Sequence, residues 1–143
     1  MNDSGTDGAG GLKHRPPGAA QHVTAGPYSP VLEVDARRIV VLSGQVAVAL
    51  DGTVVGDTIE DQARSTLANC ARLLAAAGCG LADVFKVNVY LTDLADWPAF
   101  NTVYRDAFPE PWPEPWPVRT AVQAALLPGF LVEIEMWAVK REG

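Results

Sequence analysis

Asp83-Val84-Phe85-Lys86-Val87-Asn88-Val89-Tyr90-Leu91 is the stretch that decides the fold. Phe85, Val87, Val89 and Leu91 alternate with Val84, Lys86, Asn88 and Tyr90. Successive side chains of a strand point to opposite faces, so residues 83–91 predict a strand with one fully apolar face. That face needs a cover, and a helix is predicted on either side of it in sequence. Before it, Ile59, Ala63, Thr66, Leu67, Cys70 and Leu74 recur at helical spacing within residues 58–77. Thr58 caps that helix, Asp61 stands three residues on, and Gly78 ends it. After the strand, Pro98 sits in the first turn of a second helix with Phe100, Val103, Tyr104 and Ala107 as its packing stripe.

Working outward, residues 31–34, 38–43 and 45–50 read as strands, the last closed by a turn at Asp51-Gly52. Ile39 to Leu42 is too apolar for an edge exposed on both faces. Residues 119–126 and 130–140 read as two more strands around a turn at Pro128-Gly129. The order β-β-β-α-β-α-β-β predicts an α+β fold, a mixed β-sheet with both helices packed on one face. Its other face is not left to water: Leu131, Glu133, Glu135 and Trp137 mix apolar and acidic groups on one side of the last strand. Such a face suits a subunit interface with polar pockets, so self-association is expected.

Residues 1–22, dominated by Gly, Asp, Asn, Ser and Pro, are expected to be a disordered tail ahead of a single domain at 23–143. His14 and His22 lie in or beside that tail, so neither is expected as a metal ligand or general base. Cys70 and Cys79 fit neither a metal ladder nor a CxxC pair and read as reduced thiols. The N-terminus lacks the apolar core of a signal peptide, and no apolar run approaches the roughly 20 residues of a membrane span. A cytoplasmic protein without membrane contact is expected. The net charge of −6 opposes a general nucleic-acid or membrane-surface role, which needs clustered Lys and Arg.

Candidate chemistry is sparse. There is no GxSxG elbow, no HExxH and no phosphate-cradling glycine loop. Ser43, in Ser43-Gly44-Gln45, has no base partner and reads as a turn or hydrogen-bonding residue more readily than as a nucleophile. Arg119 follows the stiff loop 109–117, five prolines in nine residues, and opens an otherwise uncharged strand. A guanidinium held on a strand presents a planar fork to a carboxylate; a structural ion pair with Glu133 or Glu135 is the competing reading. Glu133 and Glu135 share a face, which fits a solvated surface more readily than general acid–base work.

Six short segments then fall in register: Gly26-Pro27-Tyr28-Ser29, Ser43-Gly44-Gln45, Gln62-Ala63-Arg64, Asn101-Thr102-Val103-Tyr104, Pro117-Val118-Arg119-Thr120 and Val132-Glu133-Ile134-Glu135. In order and spacing they resemble the YjgF/RidA family across residues 23–140. The resemblance implies a chorismate-mutase-like fold, a homotrimer with clefts between subunits, and hydrolysis of reactive 2-imino and enamine acids to 2-keto acids and ammonia. It implies no cofactor and no metal. Arg119 would bind the carboxylate of a small-molecule substrate, Tyr28, Ser43 and Asn101 would line the cleft, and Glu133 would order or activate water. Two departures stand out. Ala121 occupies a position where members commonly carry Cys, and the loop before Arg119 is longer and holds Trp112 and Trp116. Those tryptophans either steer the site toward a larger or aromatic enamine or pack on a neighbouring subunit. Besides an imine deaminase, the residues leave open a pathway-specific deaminase of another enamine and a noncatalytic, carboxylate-binding regulatory trimer. A ribonuclease role, attached to some relatives, is opposed by the charge and by the lack of a basic, aromatic-rich face.

Overall fold

The computed structural model describes residues 11–20, 22, 26–108 and 115–141. Strands β1 (Lys13–His14), β2 (Glu33–Val34) and β3 (Arg38–Val41) precede helix α1 (Ile59–Ala76). Then follow β4 (Val84–Leu91), α2 (Trp97–Ala107), β5 (Val118–Gln123) and β6 (Val132–Lys140). The main sheet runs β3-β6-β4-β5, with β4 and β5 parallel and the other pairs antiparallel.

The apolar alternation of β4 is covered as expected, with one exchange. Val87, Val89 and Leu91 are buried, but the fourth core residue is Val84, and Phe85 is only half-buried. A bulge between Val84 and Lys86 shifts the register against β6 and turns Val84 inward in place of Phe85. Across from it, β6 contributes Val132, Ile134, Met136 and Ala138. Ile59, Ala63, Leu67, Cys70 and Leu74 of α1 join Phe100, Val103 and Tyr104 of α2 over the same sheet face, in one apolar cluster. Thr58 caps α1 by accepting from Asp61 N at 3.1 Å, as its sequence predicts. Burial pushes the Cys70 thiol up to about 12, so it serves as a small apolar filler.

Two expectations change, and the edge is defined. Residues 45–50 form no strand: Gln45 bridges Ile134, Val48 bridges Val54, and the carbonyls of Val46 and Val48 accept from Asn69 Nδ2 on α1 at 2.9 and 3.0 Å. A helix side chain thus takes the hydrogen bonds a neighbouring strand would have made. β3 is an edge strand, but one exposed on a single face: Ile39 is 54% and Val41 58% exposed away from the helices, while Val40 packs against the core and Leu42 beyond it is buried. Finally, the tail expected through residue 22 is partly ordered. β1 pairs with β2, and Lys13, only 3% exposed, donates from Nζ to Val84 O at 2.6 Å. Two residues are too short a strand to leave a periodic signature. Residues 1–10, also assigned to that tail, lie outside the described residues.

Candidate active site

Sheet parity places the candidate residues. Arg119 pairs with Val87, whose side chain is buried under the helices, so Arg119 points to the covered face. There its guanidinium carbon lies 4.5 Å from the ring centre of Trp97, 4.5 Å from that of Tyr104 and 5.7 Å from that of Tyr28. These faces offer cation–π attraction but no hydrogen-bond acceptor in the plane of the fork. Both terminal nitrogens, Nη1 and Nη2, are buried without a hydrogen-bond partner among the described residues. Burial pushes the guanidinium down from its ordinary value, Tyr104 and Tyr28 oppose that shift, and Arg105 adds to it.

Local sequence explains why the walls stand where they do. Ser29 N donates to Pro117 O at 3.0 Å, and Ser29 Oγ donates to Trp116 O. The Gly-Pro-Tyr-Ser segment is thereby stitched to the two residues just before β5, which carries Tyr28 to Arg119. Trp97, Asn101 and Tyr104 follow at i, i+4 and i+7 along α2 and share a face. Asn101 Oδ1 and Tyr104 Oη are also buried without partners. Tyr28, Leu94, Trp97, Arg119 and Ala121 enclose a cleft of about 400 Å³. Trp116 stacks on Tyr104 at 6.0 Å and meets Phe108 edge-on at 5.2 Å, packed against the core of its own chain. Trp112 lies outside the described residues.

Glu133 is elsewhere. It pairs with Tyr90, on the face turned away from the helices, beside Glu135, which pairs with Asn88. β4 lies between β5 and β6, so the ion pair of Arg119 with Glu133 or Glu135 does not form: the strands do not adjoin and the side chains leave opposite faces. Glu135 is occupied, accepting from Tyr90 Oη at 2.6 Å and Asn88 Nδ2 at 3.1 Å. Glu133 instead overlies Gly44; a Cβ there would collide with its Oε2 and come within 2.9 Å of its Cδ. Exposed Ser43 precedes that glycine, and Gln45 anchors the segment on Ile134. Tyr28 and Arg119 thus line a cleft on the covered side, Asn101 shares the α2 face of Trp97 and Tyr104, and Ser43 and Glu133 lie together on the open side. Among the described residues no group of three His, Cys, Asp or Glu could hold a metal, and no helix is long and apolar enough to cross a membrane.

The sequence reading missed Leu94 and Trp97 as cleft walls and Tyr104 as more than a packing residue. The spacing of Trp97, Asn101 and Tyr104 was the available signal. A mixed sheet under two helices, with an arginine set among aromatic rings, defines the class as an α+β domain. The family model for Endoribonuclease L-PSP matches residues 19–140, and the chain belongs to this family, the YjgF/RidA family. Protein mmf2, mitochondrial, of Schizosaccharomyces pombe is 39% identical over 119 residues, 80% of this chain and 89% of that protein. The 2-iminobutanoate/2-iminopropanoate deaminase of Capra hircus is 38% identical over 117 residues, 80% of this chain and 81% of that protein. The crystal structure of yeast Mmf1 superimposes with a TM-score of 0.66 at 31% identity, covering 82% of this chain and 90% of that one.

Proposed function

We propose that this protein hydrolyses 2-imino acids and their enamine tautomers to 2-keto acids and ammonia. The observation that carries the reading is Arg119. A buried guanidinium with both terminal nitrogens unsatisfied is costly to fold, and a bidentate carboxylate supplies the two acceptors it lacks. Relatives named as 2-iminobutanoate/2-iminopropanoate deaminases, at 38% identity, support the chemistry.

In this reading Arg119 holds the carboxylate, with Tyr28 and Asn101 at the sides. The enamine becomes the imine when a proton moves from its nitrogen to its carbon. Water then adds to the imine carbon as Glu133 takes its proton and returns it to the nitrogen, giving a carbinolamine. The hydroxyl proton passes to the amine as the C–N bond breaks, which leaves the keto acid and ammonia. Orientation does most of the work, because the reacting carbon is already electrophilic. Since Glu133 and Ser43 lie across the sheet from Arg119, a second copy of the chain supplies them. Self-association through the open face, where Ile39 and Val41 are exposed, is thus part of the proposal, and we take the assembly to be a homotrimer with intersubunit clefts. The reading includes a cytoplasmic protein needing no cofactor and no nucleic-acid partner.

A second reading, a deaminase of a larger or aromatic enamine, is favoured by the apolar wall of Leu94, Trp97 and Ala121 beside Arg119. The experiment couples an amino-acid oxidase or a serine or threonine dehydratase to this protein and follows loss of the imine. Faster decay with wild type and none with Arg119→Ala is expected, and a panel of side chains separates the two substrate classes. No acceleration with any imine, together with tight keto-acid binding, would move the assignment to a carboxylate-binding regulatory trimer.

A further inference from the structure

His22 belongs to a stretch whose sequence suggests only a tail, yet it touches the cleft. Its Nε2 shares a hydrogen bond of 3.2 Å with Tyr28 Oη, and the two rings stand 6.5 Å apart at a tilt of 55°. Tyr28 is the wall that lies over Arg119 from the side of the N-terminus. The chain that delivers His22 is fastened at its other end. Asp35 N donates to Leu12 O at 2.7 Å, Lys13 and His14 pair with β2, and His14 Nε2 meets Glu33 Oε1 at 2.9 Å. Lys13 is driven into the body of the fold against Val84 O, and a turn closed by Ala19 N on Pro16 O then reverses the chain.

We infer that His22 is a positioning residue for the carboxylate site, fixing the Tyr28 phenol so that its ring stays over Arg119. The inference rests on the reading of this cleft as an imino-acid site and adds a group that reading does not contain. Tyr28 stands at the cleft rim, where a swing of its ring would open the guanidinium to water and weaken its grip on an anion. A hydrogen bond to an anchored segment opposes that swing. Because His22 acts through a binding residue, its contribution falls on affinity and leaves the chemical step alone.

The test uses the full chain and four variants: His22→Ala, His22→Gln, Tyr28→Phe and the double variant His22→Ala/Tyr28→Phe. Coupled imine hydrolysis gives kcat and KM, titration calorimetry with 2-oxobutanoate gives an affinity independent of turnover, and thermal unfolding checks the fold. His22→Ala should raise KM and the keto-acid Kd roughly threefold to tenfold, the worth of one neutral hydrogen bond, with kcat and Tm unchanged. His22→Gln should restore both, because its amide both donates and accepts at the reach of Nε2. In the Tyr28→Phe background the histidine change should have no further effect. Unchanged KM and Kd in His22→Ala, an undiminished effect in the Tyr28→Phe background, or no rescue by Gln would each overturn the inference while an active wild type upholds the deaminase reading. A wild type that neither hydrolyses imines nor binds the keto acid overturns that reading itself, and this inference with it.

Discussion

Lys13 and the guanidinium of Arg119 are cationic groups buried among the described residues, and their surroundings differ in the one respect that matters for function. Lys13 is 3% exposed, donates to Val84 O and feels the charge of Asp83, whose own carboxylate accepts from Gly80 N and pairs with Arg141. Arg119 is surrounded by aromatic faces, and Nη1 and Nη2 have nothing to donate to among the described residues. The first is a completed structural contact and the second an unfinished one. The two glutamates of β6 repeat the contrast: Glu135 is satisfied by Tyr90 and Asn88, while Glu133 lies over a bare glycine. Burial alone marks neither a site nor a strut; unmet hydrogen-bonding capacity beside a cleft separates them.

The strongest attempt to break the comparison is Arg119→Ala. Losing a bidentate, charge-assisted pair should lower kcat/KM for imine hydrolysis by roughly 100-fold to 1,000-fold. Stability should not fall, because the change removes an unpaired buried charge. A drop of several degrees in Tm with assembly lost would instead make Arg119 a structural residue, and the contrast with Lys13 would vanish.

Next come the glutamates. Glu133→Gln should reduce kcat about 100-fold, the low end for a general base, with keto-acid binding retained. Glu135→Gln should act on stability by about 1 kcal/mol through its hydrogen bonds from Tyr90 and Asn88, with kcat within about twofold. Steady-state kinetics beside chemical denaturation reads both, and reversed outcomes would exchange the two assignments. Gly44→Ala sharpens the point while leaving both glutamates in the sequence. The added methyl must displace the Glu133 carboxylate, the mobile end of a side chain, so turnover should fall about tenfold with little change in stability.

What was readable beforehand follows from how each feature is encoded. The stripes of α1 and α2 and the alternation of β4 are periodic, and periodicity survives in sequence. The exchange of Val84 for Phe85 is not, because a bulge is a backbone irregularity with no composition of its own at this position. Arg119 and Glu133 were candidates from their strand positions alone, and the family's short motifs added the roles. Their separation did not follow, because which face a strand residue takes depends on sheet order, and β4 inserts between β5 and β6. His22 was invisible for a further reason: it lies six residues from Tyr28 in a stretch without pattern.

The Lys13 anchor supplies the smallest effect. Desolvation by burial pushes the Lys13 ammonium down to about 8 from its ordinary 10.5, and the nearby Asp83 offsets only part of the shift. Below about pH 8 both folded and unfolded chains hold the proton, and the folded state bears the full desolvation penalty. Between about 8 and 10.5 the unfolded chain keeps the proton and the folded one does not, so stability rises with pH at up to roughly 1.4 kcal/mol per unit. Cys70 and Tyr104, both raised by burial, pull the other way at higher pH, so the raw profile of the wild type mixes these effects. Lys13→Met keeps the apolar stem and removes the titrating group. Urea unfolding of both proteins at pH 8 and pH 9 should therefore show the wild type gaining about 1 kcal/mol on the variant over that interval. Equal slopes would mean that Lys13 reaches water or a stronger partner when folded, and the N-terminal strap would lose the buried anchor that the comparison with Arg119 assigns to it.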